Sequence, residues 1–174
     1  MSSVLEIIKT RRSVRKFKAD PVPRELIDKV IEAGTYAATG RGKQSPVIIA
    51  VTNKDLRLKI TKLNAEIFGK PDFDTFYNAP VILIVAAEKS NNTAVYDGSL
   101  VLGNMMLEAH DLGLGSCWIH RCKESMESDL YKDLFKKLHI EGDYEGVGHL
   151  ALGYADGNLP KCAPRKDNWS FFVE

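Results

Sequence analysis

Three cysteines are too few, and odd in number, to staple a chain of 174 residues. Cys117, Cys122 and Cys162 therefore predict no disulfide framework, and they fit a reducing compartment. Long apolar runs are missing too. The longest uncharged one, Ala79–Ala87 (APVILIVAA), falls far short of the roughly 20 residues that span a bilayer as a helix. The opening MSSVLEIIKTRR has no apolar core followed by a small-residue cleavage site, so it does not read as a secretory signal. An excess of one charge is also absent: 24 Lys and Arg face 23 Asp and Glu, for a net charge of +1. A domain that grips nucleic acid is usually strongly basic, so a general nucleic-acid binder is disfavoured, although a local anion site is not. These absences predict a soluble, cytoplasmic protein with neither a membrane nor a nucleic acid as partner.

Familiar catalytic signatures are lacking as well. No G-x-G-x-x-G follows a predicted strand, no G-x-x-x-x-G-K-[ST] occurs, and the glycines of ATGRGKQ fit neither phosphate fingerprint. No G-x-S-x-G elbow supports a hydrolase. Cys117 and His120 form a C-x-x-H arrangement with Cys122 just beyond. A zinc site needs four ligands, normally as two spaced pairs, and no second pair exists. Buried or incidental thiols are the simpler reading, and no metal is expected.

Apolar residues make up 44% of the chain, enough for one packed domain, here 1–174. Val4, Leu5, Ile7 and Ile8 predict a short first helix ending near Thr10. Pro21 and Pro23 break the chain, and Leu26, Ile27, Val30, Ile31 and Gly34 mark the buried face of a second helix. Thr35–Pro46 reads as a loop, Val47–Thr52 as a buried strand, and Asn53 as the cap of a helix with Leu56, Ile60, Leu63 and Ile67 on one face. Pro80–Ala87, apolar on both faces, predicts a central strand. Thr93–Leu112 predicts a long helix buried nearly all round, with Gly98 and Gly103 admitting another backbone and Gly113 closing it. Gly115–His120 and Val147–Tyr154 predict two more strands. Between them Ser125 opens a helix with Leu130, Leu134 and Leu138 on its core face. The alternation predicts helices on both faces of a small sheet. The ending, about 160–174, carries Phe171, Phe172 and Val173, which are expected to pack on another subunit.

What the chain does have is a basic run. Five of the eight residues from Arg11 to Lys18 are cationic. Arg11, Arg12, Ser13 and Arg15 offer guanidinium forks and a hydroxyl that match phosphate oxygens. A second basic group, Arg165 and Lys166, lies near the other terminus. A solvated surface is the ordinary fate of such charges, and the two groups meeting at one phosphate is the functional alternative.

TRRSVRKF after a short helix resembles the opening of the FMN-dependent nitroreductase family. Three further segments agree in order. Ala37–Pro46 (AATGRGKQSP) resembles that family's A-P-S-x-x-N-x-Q-P loop, Asp111–His120 its segment beside the flavin ring, and Leu150–Lys166 its basic ending. The resemblance covers essentially the whole chain. It implies an α+β fold: a mixed, mainly antiparallel sheet of four or five strands flanked by helices, in an intertwined homodimer. It implies that Arg11, Arg12, Ser13 and Arg15 bind the FMN phosphate, ribityl chain and pyrimidine edge, with Arg165 and Lys166 completing the phosphate site. Ala38, Thr39, Gly40, Gly42 and Gln44 would reach the flavin from the partner subunit. Trp118, Ile119 and His120 would lie near the ring, with backbone groups facing it. NAD(P)H would reduce the flavin, and a nitroaromatic, a quinone or a similar electron-poor small molecule would reoxidise it by a ping-pong cycle. The flavin, rather than a catalytic side chain, would carry the chemistry. Gly42 stands where the family loop usually has Asn, and His120 and Arg121 stand where the family varies. A flavin-storage or regulatory module without turnover is the alternative within this chemistry.

Overall fold

The computed structural model describes residues 3–174. Its strands are β1 (Pro46–Val51), β2 (Val81–Glu88), β3 (Gly115–Ile119) and β4 (Tyr144–Gly153). They form one antiparallel sheet in the order β1-β2-β4-β3. The parallel component of the expected mixed sheet reduces to a single bridge, Ser13 to Ser116. The central β2 is buried along almost its whole length, as its two-sided apolar run predicts.

Each face of the sheet carries its own core. On one side α3 (Lys54–Ile67), α5 (Cys122–Met126) and α6 (Asp129–Lys137) cover Ile82, Ile84, Ile119 and Ala151. On the other, α2 (Arg24–Thr35) and α4 (Ala94–Asp111) cover Leu83, Val85, Leu150 and Leu152. This split is the two-residue period of β2 read in space. Asn53 caps α3 by accepting from the Leu56 N–H at 2.9 Å. Gly113, at φ 75°, ends α4 in the left-handed turn that glycine allows.

Three expectations need correction. Ser125 does not open the predicted helix: it sits inside a short helix that begins at Cys122, and Ser128 instead caps the helix carrying Leu130 and Leu134, accepting from the Tyr131 N–H. Leu138 is the C-cap just past the end of α6, where it is exposed rather than on the core face. Gly98 does admit a neighbour, since a Cβ there would strike Val147, but Gly103 faces open space within this protomer. The last two strands also begin earlier or end sooner than expected: β4 starts at Tyr144 and β3 stops at Ile119.

The chain beyond Ala155 is exposed and belongs to neither core. Phe171 and Phe172 are 82% and 89% exposed. The first helix, α1 (Val4–Thr10), buries no residue; Val4, Leu5 and Ile8 are exposed, as are Tyr36 and, nearer the start of α4, Tyr96 and Leu100. That is far more uncovered apolar surface than scattered single residues on a monomer account for.

Candidate functional site

The basic run sits on the outer edge of β3. The Val14 N–H donates to the Ser116 carbonyl, and Lys18 and Asp156 exchange bonds with Tyr154 and Lys16. Val14 and Phe17 are buried and anchor the segment. Since Ser116 turns its carbonyl outward, the alternation of an antiparallel strand leaves Trp118 on the same open side. The run thus covers the start of the β3 edge and leaves its end free.

Arg11, Arg12 and Ser13 are half-buried here, and Arg15 is exposed. Arg12 turns one Nη1 back onto the carbonyls of Lys9 and Arg11, at 2.7 and 2.6 Å. The Arg11 Nη1 and the Arg12 Nε are buried without any partner. Among the described residues no carboxylate pairs with Arg11, Arg12 or Arg15. Such orphaned, positively charged donors are what an anion satisfies.

The surroundings respond to these charges. Burial lowers the pKa of His110, and Arg11 and Arg12 lower it further; its ring shares a 2.8 Å hydrogen bond with the Thr10 hydroxyl. Burial pushes the Cys117 thiol up, against the opposing pull of Arg15, Ser13 and Arg11. Burial pushes Cys122 up to about 12. Both are inert, protonated thiols. Among the described residues no group of three or more His, Cys, Asp or Glu is disposed to hold a metal ion.

The loop Ala38–Gln44 lies elsewhere. Asp97, buried near the start of α4, accepts from the Gly40 N–H at 3.0 Å, from Asn91 at 2.8 Å and from Thr93 at 3.0 Å. Asn91 reaches on to Ser45, also at 3.0 Å. The loop is thus pinned at both ends to the N-terminal end of α4. Gly42 has φ 65°. Glycine and asparagine are the two residues that best tolerate that region, which explains why one can stand where the other is usual. Thr39 and Gln44 line a cavity of about 230 Å³.

Thr10, next to the arginines, contacts His110 at the other end of the same helix. Thirteen residues separate Asp97 from His110, or about 20 Å of α-helix. Within one protomer the loop and the arginines are therefore far apart. Arg165 and Lys166 are not brought to them either. Arg165 donates to the Ala163 carbonyl at 2.8 Å, and Lys166 lies over the Trp169 ring.

Trp118 is half-buried, Ile119 buried and His120 exposed at the free end of β3. Sequence reasoning missed three buried polar residues behind them. Asn64 of α3 donates to the His120 carbonyl at 2.9 Å. His149 of β4 lies opposite Ile119 and shares a 2.6 Å bond with the Tyr131 hydroxyl. Burial pulls the His149 pKa down to about 3, against a smaller upward pull from the His120 and Ile119 backbone. The one available signal was a polar residue on a run of otherwise apolar positions, as in VGHLALG.

His149 makes a pH prediction. Its ordinary pKa is 6.5. Between that value and about 3 the unfolded chain binds a proton that the folded chain refuses. The stability His149 supports is therefore full above pH 6.5 and is lost as pH falls, by at most about 1.4 kcal/mol per unit. At pH 5 the loss is about 2 kcal/mol. In His149→Gln, urea midpoints at pH 7 and pH 5 should differ by correspondingly less than in the wild type. An equal difference in both proteins removes His149 from the account.

A larger cavity, about 700 Å³, lies between α6 and the 139–145 turn. None of the residues discussed for FMN lines it, and its rim lysines Lys89 and Lys123 pair with Asp143 and Glu145.

Comparison with known proteins agrees with this fold. A solved nitroreductase with bound FMN from Bacteroides fragilis superposes with a TM-score of 0.89 over 100% of both chains, at 28% identity. An NADPH-flavin oxidoreductase of Vibrio harveyi is 27% identical over 95% of this chain and 70% of its own. A provisionally named NADH dehydrogenase/NAD(P)H nitroreductase of Methanothermobacter thermautotrophicus is 36% identical over 66% of this chain and 59% of its own. The chain spans little more than half the length of several other curated relatives. Among the described residues no helix is long and apolar enough to cross a membrane. The nitroreductase family model matches residues 8–154, and with the four-stranded antiparallel sheet and the basic β3 edge already in place, the chain belongs to the nitroreductase family.

Proposed function

We propose that this chain is an FMN-dependent oxidoreductase that passes electrons from NAD(P)H to electron-poor acceptors such as nitroaromatics or quinones. The observation that carries the reading is the pair of buried, partnerless guanidinium nitrogens on Arg11 and Arg12. They fit a phosphate of charge near −2, and their inward aim suits one small ligand better than a polyanion. Arg11, Arg12, Ser13 and Arg15 hold the phosphate, ribityl chain and pyrimidine edge, and Arg165 and Lys166, which lie apart from them in the single chain, complete the phosphate site once the exposed tail docks. Trp118, Ile119 and His120 border the ring. When bound, FMN supplies a ring that takes up and returns hydride.

Two copies build each site. The separation of the loop from the arginines, about 20 Å along α4, favours a flavin held by the arginines of one protomer and reached by Ala38–Gln44 of the other. The bare apolar faces of α1, α4 and the tail supply the contact area. The nicotinamide donor and the acceptor use the same open edge in turn, which is a ping-pong scheme. The three free thiols accord with the cytoplasm.

The test begins with colour. The purified chain should be yellow and release FMN on denaturation. Initial rates of NAD(P)H oxidation against a nitroaromatic or a quinone should give parallel double-reciprocal lines. Bound FMN without turnover would leave a storage module, and a colourless protein that takes up no FMN would sink the proposal.

A further inference from the structure

Three elements converge on the peptide that leaves β3. Asn64, fully buried on α3, donates to the His120 carbonyl at 2.9 Å. The buried His149 lies beside the same backbone from β4 and is held from behind by Tyr131. Arg121 then takes a left-handed φ of 72°, and its guanidinium carbon lies 4.1 Å from the centre of the Phe68 ring. A non-glycine residue persists in that region only where its surroundings over-determine it.

The consequence is directional. In a trans peptide the C=O and N–H point in opposite senses. With the His120 carbonyl drawn into the core, the Arg121 N–H is turned out of it. Among the described residues nothing accepts from that N–H. The Asn64 Oδ1, meanwhile, is buried without a partner. An apolar side chain there would spare that penalty but leave the His120 carbonyl without its donor, so the asparagine is kept for its hold on this one peptide.

We propose that Asn64 is a positioning residue for the flavin ring: it fixes the His120–Arg121 peptide so that the Arg121 N–H faces the ring at the open end of β3. This rests on the FMN reading above and adds to it a residue far from the phosphate site. An N–H dipole aimed at the ring favours its electron-rich, reduced form.

The test uses FMN-loaded Asn64→Ala and Asn64→Leu beside Thr61→Val, a buried α3 site whose hydroxyl has no partner among the described residues. The reduction potential of the bound flavin is the readout, with FMN affinity measured separately. Both Asn64 variants should lower the potential by about 30 mV, a tenfold loss of preference for reduced flavin. Thr61→Val should stay at the wild-type value. Affinity for oxidised FMN should fall by less than tenfold, because the arginines are untouched. Asn64→Ala, uncharged and without a donor, carries the test if Asn64→Leu does not fold. An unchanged potential in Asn64→Ala, or an equal shift in Thr61→Val, overturns the positioning role. Wild-type protein that takes up no FMN overturns the cofactor reading first, and this proposal with it.

Discussion

Arg11→Ala weakens FMN binding by about 10- to 100-fold while leaving the fold almost as stable as before. The size follows from a hydrogen bond to a charged group, worth about 1.5–3 kcal/mol, at about 1.4 kcal/mol per tenfold. The lack of effect on stability follows from the structure. The Arg11 Nη1 has no partner among the described residues, so its removal leaves none of their groups unpaired. Lys18, exposed in the same run, is the control: Lys18→Ala should change affinity by less than about twofold, as exposed charges do little. Fluorescence titration of FMN, with thermal melts of each variant, makes the measurement. Equal affinities for Arg11→Ala and Lys18→Ala would remove the basic run from the cofactor site.

Ending the chain after Asp156 should abolish dimerisation and cost at least about 100-fold in FMN affinity, counting two lost charged hydrogen bonds. No residue beyond Ala155 belongs to either core, so the shortened chain should still fold. What it loses is Trp169, Phe171 and Phe172, all largely exposed in the single protomer, together with Arg165 and Lys166. The partner's loop leaves with the dimer. Sedimentation at micromolar concentration should show a monomer with an unchanged circular-dichroism spectrum. A truncated chain that stays dimeric and keeps its flavin would show that the tail has neither role.

Much of the fold is legible along the chain because its signals are local. The two-sided apolar run of β2, the capping Asn53 and the left-handed Gly113 each act over a few residues. The basic run is legible for the same reason, and so is the anchoring of Val14 and Phe17 between its charges. The failures have a common cause. Leu138 keeps the helical spacing of Leu130 and Leu134, but α6 ends at Lys137 and Leu138 falls on its exposed C-cap. Gly103 looks like a point of close approach, yet only contact with another copy could make it one.

Asn64, His149 and Asp97 escaped notice for a different reason. A buried polar residue has no periodicity of its own, and its meaning lies in a partner far away in sequence. Asn64 meets the backbone 56 residues on, Asp97 meets Gly40 across 57, and Thr10 meets His110 across 100. The order of residues determined the strands, the helices and the concentration of arginines at Arg11–Arg15, since these depend on neighbours and on the pitch of each element. Closing the sheet decided the rest. It set the β3 edge beside the arginines, left their donors without partners among the described residues, and placed the Ala38–Gln44 loop at the far end of α4, away from them.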